Sequence, residues 1–465
     1  MMNLQQALDW IPLAVLVGDG RTRFGRVHTD TRSLQAGDLF VALKGEHFDA
    51  HEFLAQARAK GAVAAIAQQG LVDADLPGLE VVDAKLALGH LACGWRSQFN
   101  LPLVAVTGSN GKTTVTQMIA SVLQAWKSGE AFATAGNLNN DIGVPLTLLR
   151  LRASHQVGVV ELGMNHPGEI AYLSALTKPT IALVNNAQRE HLEFMATVEA
   201  VALENGSVLQ SLDAGGVAVF PADDDYADLW RCLAGSRRVL TFALSGPADV
   251  TASARWSGEF WQVVAQTPSG SLEFFLHIAG RHNVKNALAA TACALAAGVP
   301  LTFIATGLSA FVPVKGRSRA EQVRFKDHVL TLIDDTYNAN PDSMHAAIEV
   351  LAELPGPRLL VMGDMGEVGD QGPQFHDEAG RHARARGIEK LFTLGDQSRK
   401  AATAFGEAHH FDDMSELATA VVAELHHAGS MLVKGSRFMR MERVVDAVMA
   451  AADQTPQHRE EPHAS

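Results

Sequence analysis

Residues 106–114 read Val106-Thr107-Gly108-Ser109-Asn110-Gly111-Lys112-Thr113-Thr114. The short apolar run Leu103–Val106 leads into this glycine-rich stretch, and a segment with helical periodicity, Thr113 to Ala125, follows it. Backbone N–H groups in such a strand–loop–helix turn, with a helix N-terminus behind them, form a cradle for anions. The stretch therefore predicts nucleotide binding on an α/β sheet. The alternative is an ordinary glycine turn with a solvated lysine.

The usual phosphate-binding pattern is G-x-x-x-x-G-K-[ST], and its first glycine would fall at Val106, so the match is incomplete. In that pattern the lysine reaches the outer phosphates and the following hydroxyl holds Mg²⁺. Lys112 and Thr113 are the candidates for these two tasks. The remaining candidates for the nucleotide cradle are Gly108, Ser109, Asn110, Gly111 and Thr114.

Further apolar runs at 157–160, 181–184 and 217–220 are separated by helical periodicity. They predict a mostly parallel sheet with helices on both faces. Glu161 ends the first of these runs and is a candidate Mg²⁺ ligand, because hard cations prefer oxygen. The alternative is a strand-end glutamate facing solvent. His191 follows the second run, although a lone histidine is more often a packed or surface imidazole.

The whole chain has 465 residues, which corresponds to roughly three domains at about 150 residues each. A hydrophobic content of 47% and a charged content of 19% are typical of a soluble globular protein. The net charge of −13 disfavours non-specific nucleic-acid binding. No apolar stretch is long enough for a membrane span, and the N-terminus does not read as a signal peptide. Three scattered cysteines favour a reducing cytoplasm over a disulfide framework or a zinc site.

The pattern predicts three α/β domains and a tail. We expect an N-terminal domain at 1–85, a central domain at 86–314, a C-terminal domain at 315–453 and a disordered tail at 454–465. Asn100-Leu101-Pro102 and Val312–Gly316 read as linkers, and strands of the third unit are expected from Val329 onward.

Four other segments bring polar groups to strand ends or helix starts. The loop 136–143 is rich in asparagine and glycine, and 280–287 opens an alanine-rich helix with amides that suit either an adenine edge or a helix cap. Arg317 follows the second linker and is a candidate γ-phosphate clamp or a surface residue. The stretches 333–343 and 433–437 follow strands, where open α/β sheets bind ligands.

Together these segments resemble the Mur ligase family over nearly the whole chain. Those that carry the resemblance are 29–32, 37–45, 107–113, 136–145, 161–166, 280–283, 334–341, 362–367 and 434–437. The family uses an abbreviated phosphate loop, which accounts for Val106. The asparagine-rich loop and Tyr337-Asn338-Ala339-Asn340-Pro341 resemble the branch that adds D-alanyl-D-alanine.

The resemblance implies three domains: a domain for the UDP-substrate, a central P-loop ATPase and a Rossmann-like C-terminal domain. It implies an ATP- and Mg²⁺-dependent amide ligase for peptidoglycan synthesis, monomeric and cytoplasmic. The implied substrates are UDP-N-acetylmuramoyl-tripeptide and D-alanyl-D-alanine, joined through an acyl phosphate.

The resemblance also implies roles for individual residues. Lys112, His191 and Arg317 are the implied catalytic residues. Thr113, Glu161 and His191 are the implied metal ligands. Asn283 would contact adenine, Arg317 the γ-phosphate and Asp335 the ribose. The implied substrate-binding residues are Asp30, Thr31, Arg32 and Lys44 for UDP, and Asn137, Asn139, Asn140, Tyr337, Asn338, Asn340, Ser436 and Arg437 elsewhere.

One position departs from the family. Many members carry a lysine fourteen residues after the histidine, and its carbamate holds a second Mg²⁺. Here that position is Asn205, which cannot be carbamylated. The hypothesis is that the Asn205 oxygen, Glu204 or water takes over.

Two other functions remain open at this point. One is another ligase of the same family, such as the branch that adds the third peptide residue. The other is a non-catalytic nucleotide-binding regulator.

Overall fold

The computed structural model describes residues 1–453, and the tail expected at 454–465 lies outside the described residues. Three main sheets follow one another along the chain, with nearly all their strands parallel. The predicted three-domain α/β architecture is confirmed. The exact domain limits stay predictions. Within residues 1–453, no helix combines the length and apolar character needed to cross a membrane.

The N-terminal domain is built on a five-stranded sheet of order β2-β7-β6-β5-β4, in which only the β2–β7 pair is antiparallel. Strands β1 and β3 form a separate antiparallel pair. The elements are β1 Met2–Asn3, α1 Leu4–Trp10, β2 Val15–Val17, β3 Arg23–Phe24, β4 Arg26–His28, β5 Asp38–Val41, α2 Leu54–Ala59, β6 Ala64–Ala67, β7 Gly78–Glu80 and α3 Ala84–Arg96, with 3₁₀ turns at Thr31–Ser33 and Ala50–Phe53.

Helix α3 joins this domain to the next. Arg96 near its C-terminus is buried and donates to the carbonyls of Thr177, Lys178 and Phe99 at 2.9, 3.0 and 2.6 Å. Since burial alone lowers the pKa of this guanidinium, three carbonyl acceptors are what make its position tolerable. The buried apolar side chains of the N-terminal domain and those beneath the central sheet form one continuous core.

The central sheet has nine strands in the order β16-β15-β14-β13-β12-β11-β8-β10-β9, and only the β14–β15 and β15–β16 pairs are antiparallel. Helices cover both faces, as predicted, and enclose two apolar cores. The elements are β8 Leu103–Thr107, α4 Lys112–Trp126, β9 Ala131–Ala133, α5 Gly143–Leu148, β10 Val157–Glu161, α6 Glu169–Thr177, β11 Ile181–Val184, α7 Leu192–Met195, α8 Val198–Gln210, β12 Val217–Pro221, α9 Ala227–Ala234, β13 Arg238–Ala243, β14 Val250–Trp256, β15 Trp261–Thr267, β16 Gly270–Leu276, α10 Arg281–Ala296 and α11 Leu301–Ser309.

The C-terminal sheet has six strands in the order β17-β18-β22-β19-β20-β21, and β17 is its antiparallel edge. The expectation that strands begin near Val329 was wrong by one element. Strand β17 mixes charged and polar residues with apolar ones and has one exposed face, so it lacks the continuous apolar run of a buried strand. The elements are β17 Arg319–Phe325, β18 His328–Asp335, α12 Pro341–Ala352, β19 Arg358–Gly363, α13 Gly372–Ala385, β20 Lys390–Leu394, α14 Ser398–Phe405, β21 His409–Phe411, α15 Met414–Glu424, β22 Ser430–Lys434 and α16 Glu442–Asp453, with 3₁₀ turns at Gly369–Gln371 and Arg437–Met439.

Candidate active site at the junction of the central and C-terminal domains

A cavity of about 810 Å³ lies between the central and C-terminal sheets. It collects side chains that follow β8, β10, β11, β18 and β22, all at carboxyl ends of parallel strands. The predicted site residues that line it are Ser109, Asn110, Gly111, Lys112, Thr113, Thr114, Asn139, Asn140, Glu161, His191, Asn283, Arg317, Asp335, Tyr337, Asn338, Asn340, Ser436 and Arg437.

Six predicted site residues do not line this cavity. Gly108 belongs to the loop but faces inward, and Asn137 lies in an exposed turn.

The four N-terminal candidates lie in another domain. Asp30 and Arg32 pair with each other at 2.7 Å, Thr31 bonds Gln56, and Lys44 lies 3.5 Å from Asp49. Their role toward UDP stays a prediction.

The two glycines of the loop are required by close contacts. Gly108 has φ +131°, and a Cβ there would come within 3.0 Å of the Asn185 backbone nitrogen. Gly111 has φ +80°, and a Cβ would come within 2.7 Å of the Asn286 amide oxygen. Since larger residues rarely adopt these angles and lack the space, the loop needs glycine at both positions.

A second loop, 185–188 after β11, holds the phosphate loop in shape. Asn185 Nδ2 and Asn186 Nδ2 both donate to the Asn110 carbonyl at 2.8 and 3.0 Å, and Asn186 Oδ1 accepts from the Asn110 amide at 2.8 Å. Gln188 Oε1 accepts from Asn110 Nδ2 at 2.7 Å. The sequence predicts only the apolar run at 181–184 that precedes these amides, so this scaffold was missed. The run of amides next to a strand end was the available signal.

Lys112 is folded over its own loop. Its Nζ donates to the carbonyls of Gly108 and Ser109 at 2.6 and 3.1 Å, and to Glu190 Oε1 at 2.7 Å. The ammonium therefore lies at the mouth of the anion cradle. Glu190, its acidic partner, also lines the cavity and was not among the predicted site residues.

Thr113 and Glu161 are in contact, as a shared metal ligand set requires. Glu161 is 2% exposed, and its Oε1 accepts from Thr113 Oγ1 at 3.1 Å and from Asn139 Nδ2 at 2.7 Å. The asparagine-rich loop therefore reaches the strand-end carboxylate directly. The Asn140 side chain has another task, because its Oδ1 caps the turn into α5.

His191 is held between two carboxylates. Its backbone lies in the left-handed region at φ +50°, its Nε2 is 3.5 Å from Glu190 Oε1, and its Nδ1 is 2.6 Å from Glu367 Oε2. Burial lowers the pKa of the imidazole, but the adjacent carboxylates of Glu190 and Glu367 outweigh it and raise the pKa to about 9. Glu367 belongs to the C-terminal domain, so His191 is part of the contact between the two domains.

The side-chain oxygens of Asn205 and Glu204 already accept hydrogen bonds. Asn205 is 1% exposed, and its Oδ1 accepts from Thr107 Oγ1 at 2.5 Å and from the Gly108 amide at 3.0 Å. The Glu204 carboxylate accepts from the amides of Gly168 and Ile170, both at 2.8 Å. These contacts argue against the hypothesis that either oxygen donor stands in at a metal.

The adenine candidate, Asn283, is 2% exposed at the start of α10. Its Nδ2 donates to the Ala279 carbonyl at 2.7 Å, and its Oδ1 accepts from Asn286 Nδ2 at 2.9 Å. Asn286 in turn accepts from Asn185 at 3.0 Å, so this amide chain ends at the phosphate loop. A contact with adenine stays a prediction.

The cluster at the end of β18 and β22 carries several cations. The Arg317 guanidinium lies 3.9 Å from the centre of the Tyr337 ring, and Arg437 lies 5.9 Å from the same ring. Lys434 Nζ donates to Asp335 Oδ2 at 2.6 Å and to the Asn338 carbonyl at 2.8 Å. Burial would raise the pKa of Asp335, but the charge of Lys434 outweighs it and holds that pKa below its usual value.

Ser436 ties this cluster together. Its hydroxyl donates to the Ala339 carbonyl at 3.1 Å and accepts from the Gly366 amide at 2.7 Å. The segment 338–340 is therefore fixed from behind, while Asn338 remains exposed to the cavity. Hydroxyl, amide and guanidinium groups together suit a carboxylate or a peptide group.

Two sets of contacts dock the C-terminal domain on the central loops. Asn110 and Asn340 exchange side-chain hydrogen bonds, and Arg189 donates to Asp342 at 2.6 Å and to Glu378 at 3.0 Å. Arg189 was not among the predicted site residues, because nothing local marks a contact to a carboxylate 153 residues away.

Comparisons with known proteins agree with this geometry. Three family models match in chain order: "Mur ligase family, catalytic domain" at 24–96, "Mur ligase middle domain" at 106–294 and "Mur ligase, glutamate ligase domain" at 318–437. A curated relative from Escherichia coli K12 is 44% identical over 91% of this chain and 93% of its own length. This chain belongs to the Mur ligase family.

Within that family, the Escherichia coli relative is named UDP-N-acetylmuramoyl-tripeptide–D-alanyl-D-alanine ligase. A crystal structure of MurF from Acinetobacter baumannii matches with a TM-score of 0.90 at 36% identity, covering 97% of this chain and 99% of that one. MurF from Thermotoga maritima, solved in complex with ADP, matches with a TM-score of 0.82 at 27% identity, covering 93% and 98%. The resemblance noted in the sequence to the D-alanyl-D-alanine branch of the Mur ligases is confirmed.

Proposed function

We propose that this chain is an ATP-dependent ligase that joins D-alanyl-D-alanine to UDP-N-acetylmuramoyl-tripeptide. The observation that carries the proposal is the meeting of the Lys112 loop and the Tyr337–Asn340 segment in one cavity. The loop is suited to the phosphates of ATP. The segment beside it offers hydroxyl, amide and cationic groups suited to the ends of short peptides. The printed names of the relatives point to the same two substrates.

The reaction needs ATP because a carboxylate is a poor electrophile. In the proposed sequence, the terminal carboxylate of the tripeptide attacks the γ-phosphorus, and ADP leaves. The free amine of D-alanyl-D-alanine then attacks the acyl phosphate, loses a proton, and phosphate leaves as the amide forms. Each step develops negative charge on phosphoryl or acyl oxygens, so positioned cations and N–H donors lower the barrier.

Lys112 is the proposed partner of the transferring phosphoryl group, because its ammonium already lies across the loop on two carbonyls and Glu190. Arg317 is proposed to neutralise the γ-phosphate from the C-terminal side, where Tyr337 supports its guanidinium. Asn283 and Asp335 are proposed to contact adenine and ribose. The other ligand-binding assignments are proposed from the family resemblance, and Asp30, Thr31, Arg32, Lys44 and Asn137 among them lie outside this cavity.

The residues present fit Mg²⁺. Thr113 and Glu161 would hold it, since hydroxyl and carboxylate oxygens in contact at 3.1 Å are the donor types it prefers. Bound there, it would withdraw charge from the phosphate oxygens. Within residues 1–453, three or more His, Cys, Asp or Glu side chains do not gather into a ready-made metal cluster. Mg²⁺ sites of this class typically use one or two carboxylates with phosphates and water.

The test is phosphate release from ATP and Mg²⁺ by the full chain. We expect release to need both UDP-N-acetylmuramoyl-tripeptide and D-alanyl-D-alanine, and to yield a UDP-linked pentapeptide by mass spectrometry. Lys112→Met should lose about 10²-fold or more in rate, as loss of a charge-stabilising donor does elsewhere. Dependence on the UDP-dipeptide and a free amino acid would favour the third-residue branch. No release in any combination would favour a regulator.

We also propose that the enzyme is a cytoplasmic monomer.

A further inference from the structure

Glu190 is a carboxylate with one oxygen unaccounted for. The residue is 8% exposed, and its Oε1 contacts both Lys112 Nζ at 2.7 Å and His191 Nε2 at 3.5 Å. Its Oε2 is buried, and among residues 1–453 it has no hydrogen-bond partner. A buried carboxylate oxygen without a donor is costly and rare, so it calls for a ligand that the protein itself does not supply.

The neighbouring oxygen donors already have partners or a proposed role. Glu204 caps the start of α6, and the Asn205 oxygen is taken by Thr107 and the Gly108 amide. On the other side of the loop, Glu161 is already assigned with Thr113 to the proposed Mg²⁺, and its Oε1 accepts from Thr113 and Asn139. Glu367 also contacts His191, but its side chain is 47% exposed. Glu190 is the buried acid beside His191 whose second oxygen has no partner among residues 1–453.

The present partner of Glu190 is also the group that nucleotide would draw away. Lys112 reaches Glu190 from the mouth of the phosphate cradle, and an ammonium is attracted more strongly by polyphosphate than by a single carboxylate. When Lys112 turns to the phosphates, Glu190 Oε1 keeps only His191 as a cationic neighbour, at 3.5 Å, and Oε2 still has no partner among residues 1–453. The carboxylate of Glu190 then adds negative charge beside phosphates that are themselves anionic.

We propose that Glu190 is a ligand for a divalent cation that binds together with the nucleotide phosphates beside His191. The cation replaces Lys112 as the counter-charge of Glu190, and phosphate oxygens and water complete its coordination, the mode that Mg²⁺ favours. Glu190 thereby supplies an unmodified carboxylate beside His191 in a chain whose helix α8 has no lysine. The inference rests on the proposed use of ATP.

Mn²⁺ binding to the full chain tests the inference without the acceptor substrates. Free Mn²⁺ is titrated by electron paramagnetic resonance in the presence of saturating AMP-PNP, for wild type, Glu190→Gln and Glu193→Gln. Glu193 is exposed, lies three residues further along and serves as the matched control. We expect Glu190→Gln to lose one Mn²⁺ per chain or to bind it at least tenfold more weakly, and Glu193→Gln to match wild type.

Three outcomes would overturn the inference. The first is an unchanged Mn²⁺ titration in Glu190→Gln with a weakened AMP-PNP affinity, which would make Glu190 only the counter-ion of Lys112. The second is an unchanged Mn²⁺ affinity in Glu190→Asp, whose carboxylate is set back by one methylene. This variant provides the test if Glu190→Gln does not fold. The third is a wild type that binds neither Mn²⁺ nor AMP-PNP, which would also remove the proposed use of ATP. If Mn²⁺ binds as expected but phosphate release fails with both acceptor substrates, the proposed reaction fails and the Glu190 assignment stands.

Discussion

The side chains of Asn110 and Asn340 exchange hydrogen bonds across the boundary between the central and C-terminal domains. Asn340 Nδ2 donates to Asn110 Oδ1 at 2.9 Å, and Asn110 Nδ2 lies 3.4 Å from Asn340 Oδ1. Asn110 belongs to the phosphate loop, and Asn340 is the N-cap of α12. The pair therefore links the conformation of the loop to the docking of the domain that carries Tyr337.

The first prediction concerns this pair. In Asn340→Ser the shorter side chain still caps α12 by accepting from the Ser343 amide, but it does not reach Asn110. Two hydrogen bonds of about 1 kcal/mol each are lost at the boundary, so we expect kcat/KM for ATP to fall about tenfold or more. Phosphate release against ATP concentration measures it.

The control for that prediction is stability. Thermal unfolding of Asn340→Ser should stay close to wild type, whereas Asn340→Ala loses the cap as well and should be less stable by about 1 kcal/mol. Wild-type kcat/KM in Asn340→Ser would show that the amide pair has no part in catalysis.

A second prediction concerns the Arg189 contacts to Asp342 and Glu378. Arg189→Met leaves two partly buried carboxylates facing each other without their cation. Because these side chains are 23% and 33% exposed, solvent screening limits the loss to about 1–2 kcal/mol. We expect a looser contact between the two domains, seen as a larger radius of gyration by small-angle scattering and a higher KM for the dipeptide.

The matched control is Arg386→Met. Arg386 pairs with Glu349 at 2.9 Å within the C-terminal domain and is 43% exposed. Its loss should change neither the radius of gyration nor the KM for the dipeptide. Equal effects of the two variants would mean that loss of any surface arginine, rather than the domain contact, explains the result.

A third prediction is that catalysis does not depend on carbon dioxide. A carbamate needs a lysine amine, and helix α8, which reads VEAVALENGSVLQ, contains none. Phosphate release in buffer stripped of CO₂ should equal the rate in buffer with added bicarbonate. A rate that falls on stripping and returns with bicarbonate would mean that a lysine elsewhere in the chain is modified.

A fourth prediction concerns the three free cysteines. Cys232 is exposed, Cys93 is partly buried, and Cys293 is fully buried in α10, where burial raises the pKa of its thiol. Since only the thiolate reacts, a thiol reagent should label Cys232 first, Cys93 slowly and Cys293 only after unfolding. Mass spectrometry of the labelled peptides resolves the order, and early labelling of Cys293 would indicate that α10 opens in the native state.

Much of the central site was predictable because its signals are local. The strand, the glycine turn and the helix of residues 103–126 follow one another directly, and backbone geometry leaves few choices at Gly108 and Gly111. Glu161 was predictable for the same reason, because it ends a parallel strand next to the phosphate loop. Side chains at the carboxyl ends of neighbouring parallel strands lie at the same edge of a sheet.

Residues whose importance comes from distant partners were missed. In the sequence, Glu190 is an ordinary acidic loop residue, and only the structure brings it within 2.7 Å of Lys112. Asn185 likewise follows a strand in the sequence, and only the structure shows that it donates to the Asn110 carbonyl. Glu367 and Arg189 contact partners in the other domain, so no periodicity marks them.

By itself the sequence determined the α/β class, the phosphate loop and the family, because apolar periodicity and glycine requirements act over short stretches of chain. The tertiary structure alone decided which charges meet. The positions of Glu190 beside Lys112 and His191 and of Asn340 against Asn110 depend on how sheets and domains pack. The contact of Glu204, in α8, with the start of α6 depends on the same packing. That packing minimises exposed apolar surface over the whole chain, and individual polar contacts follow from it.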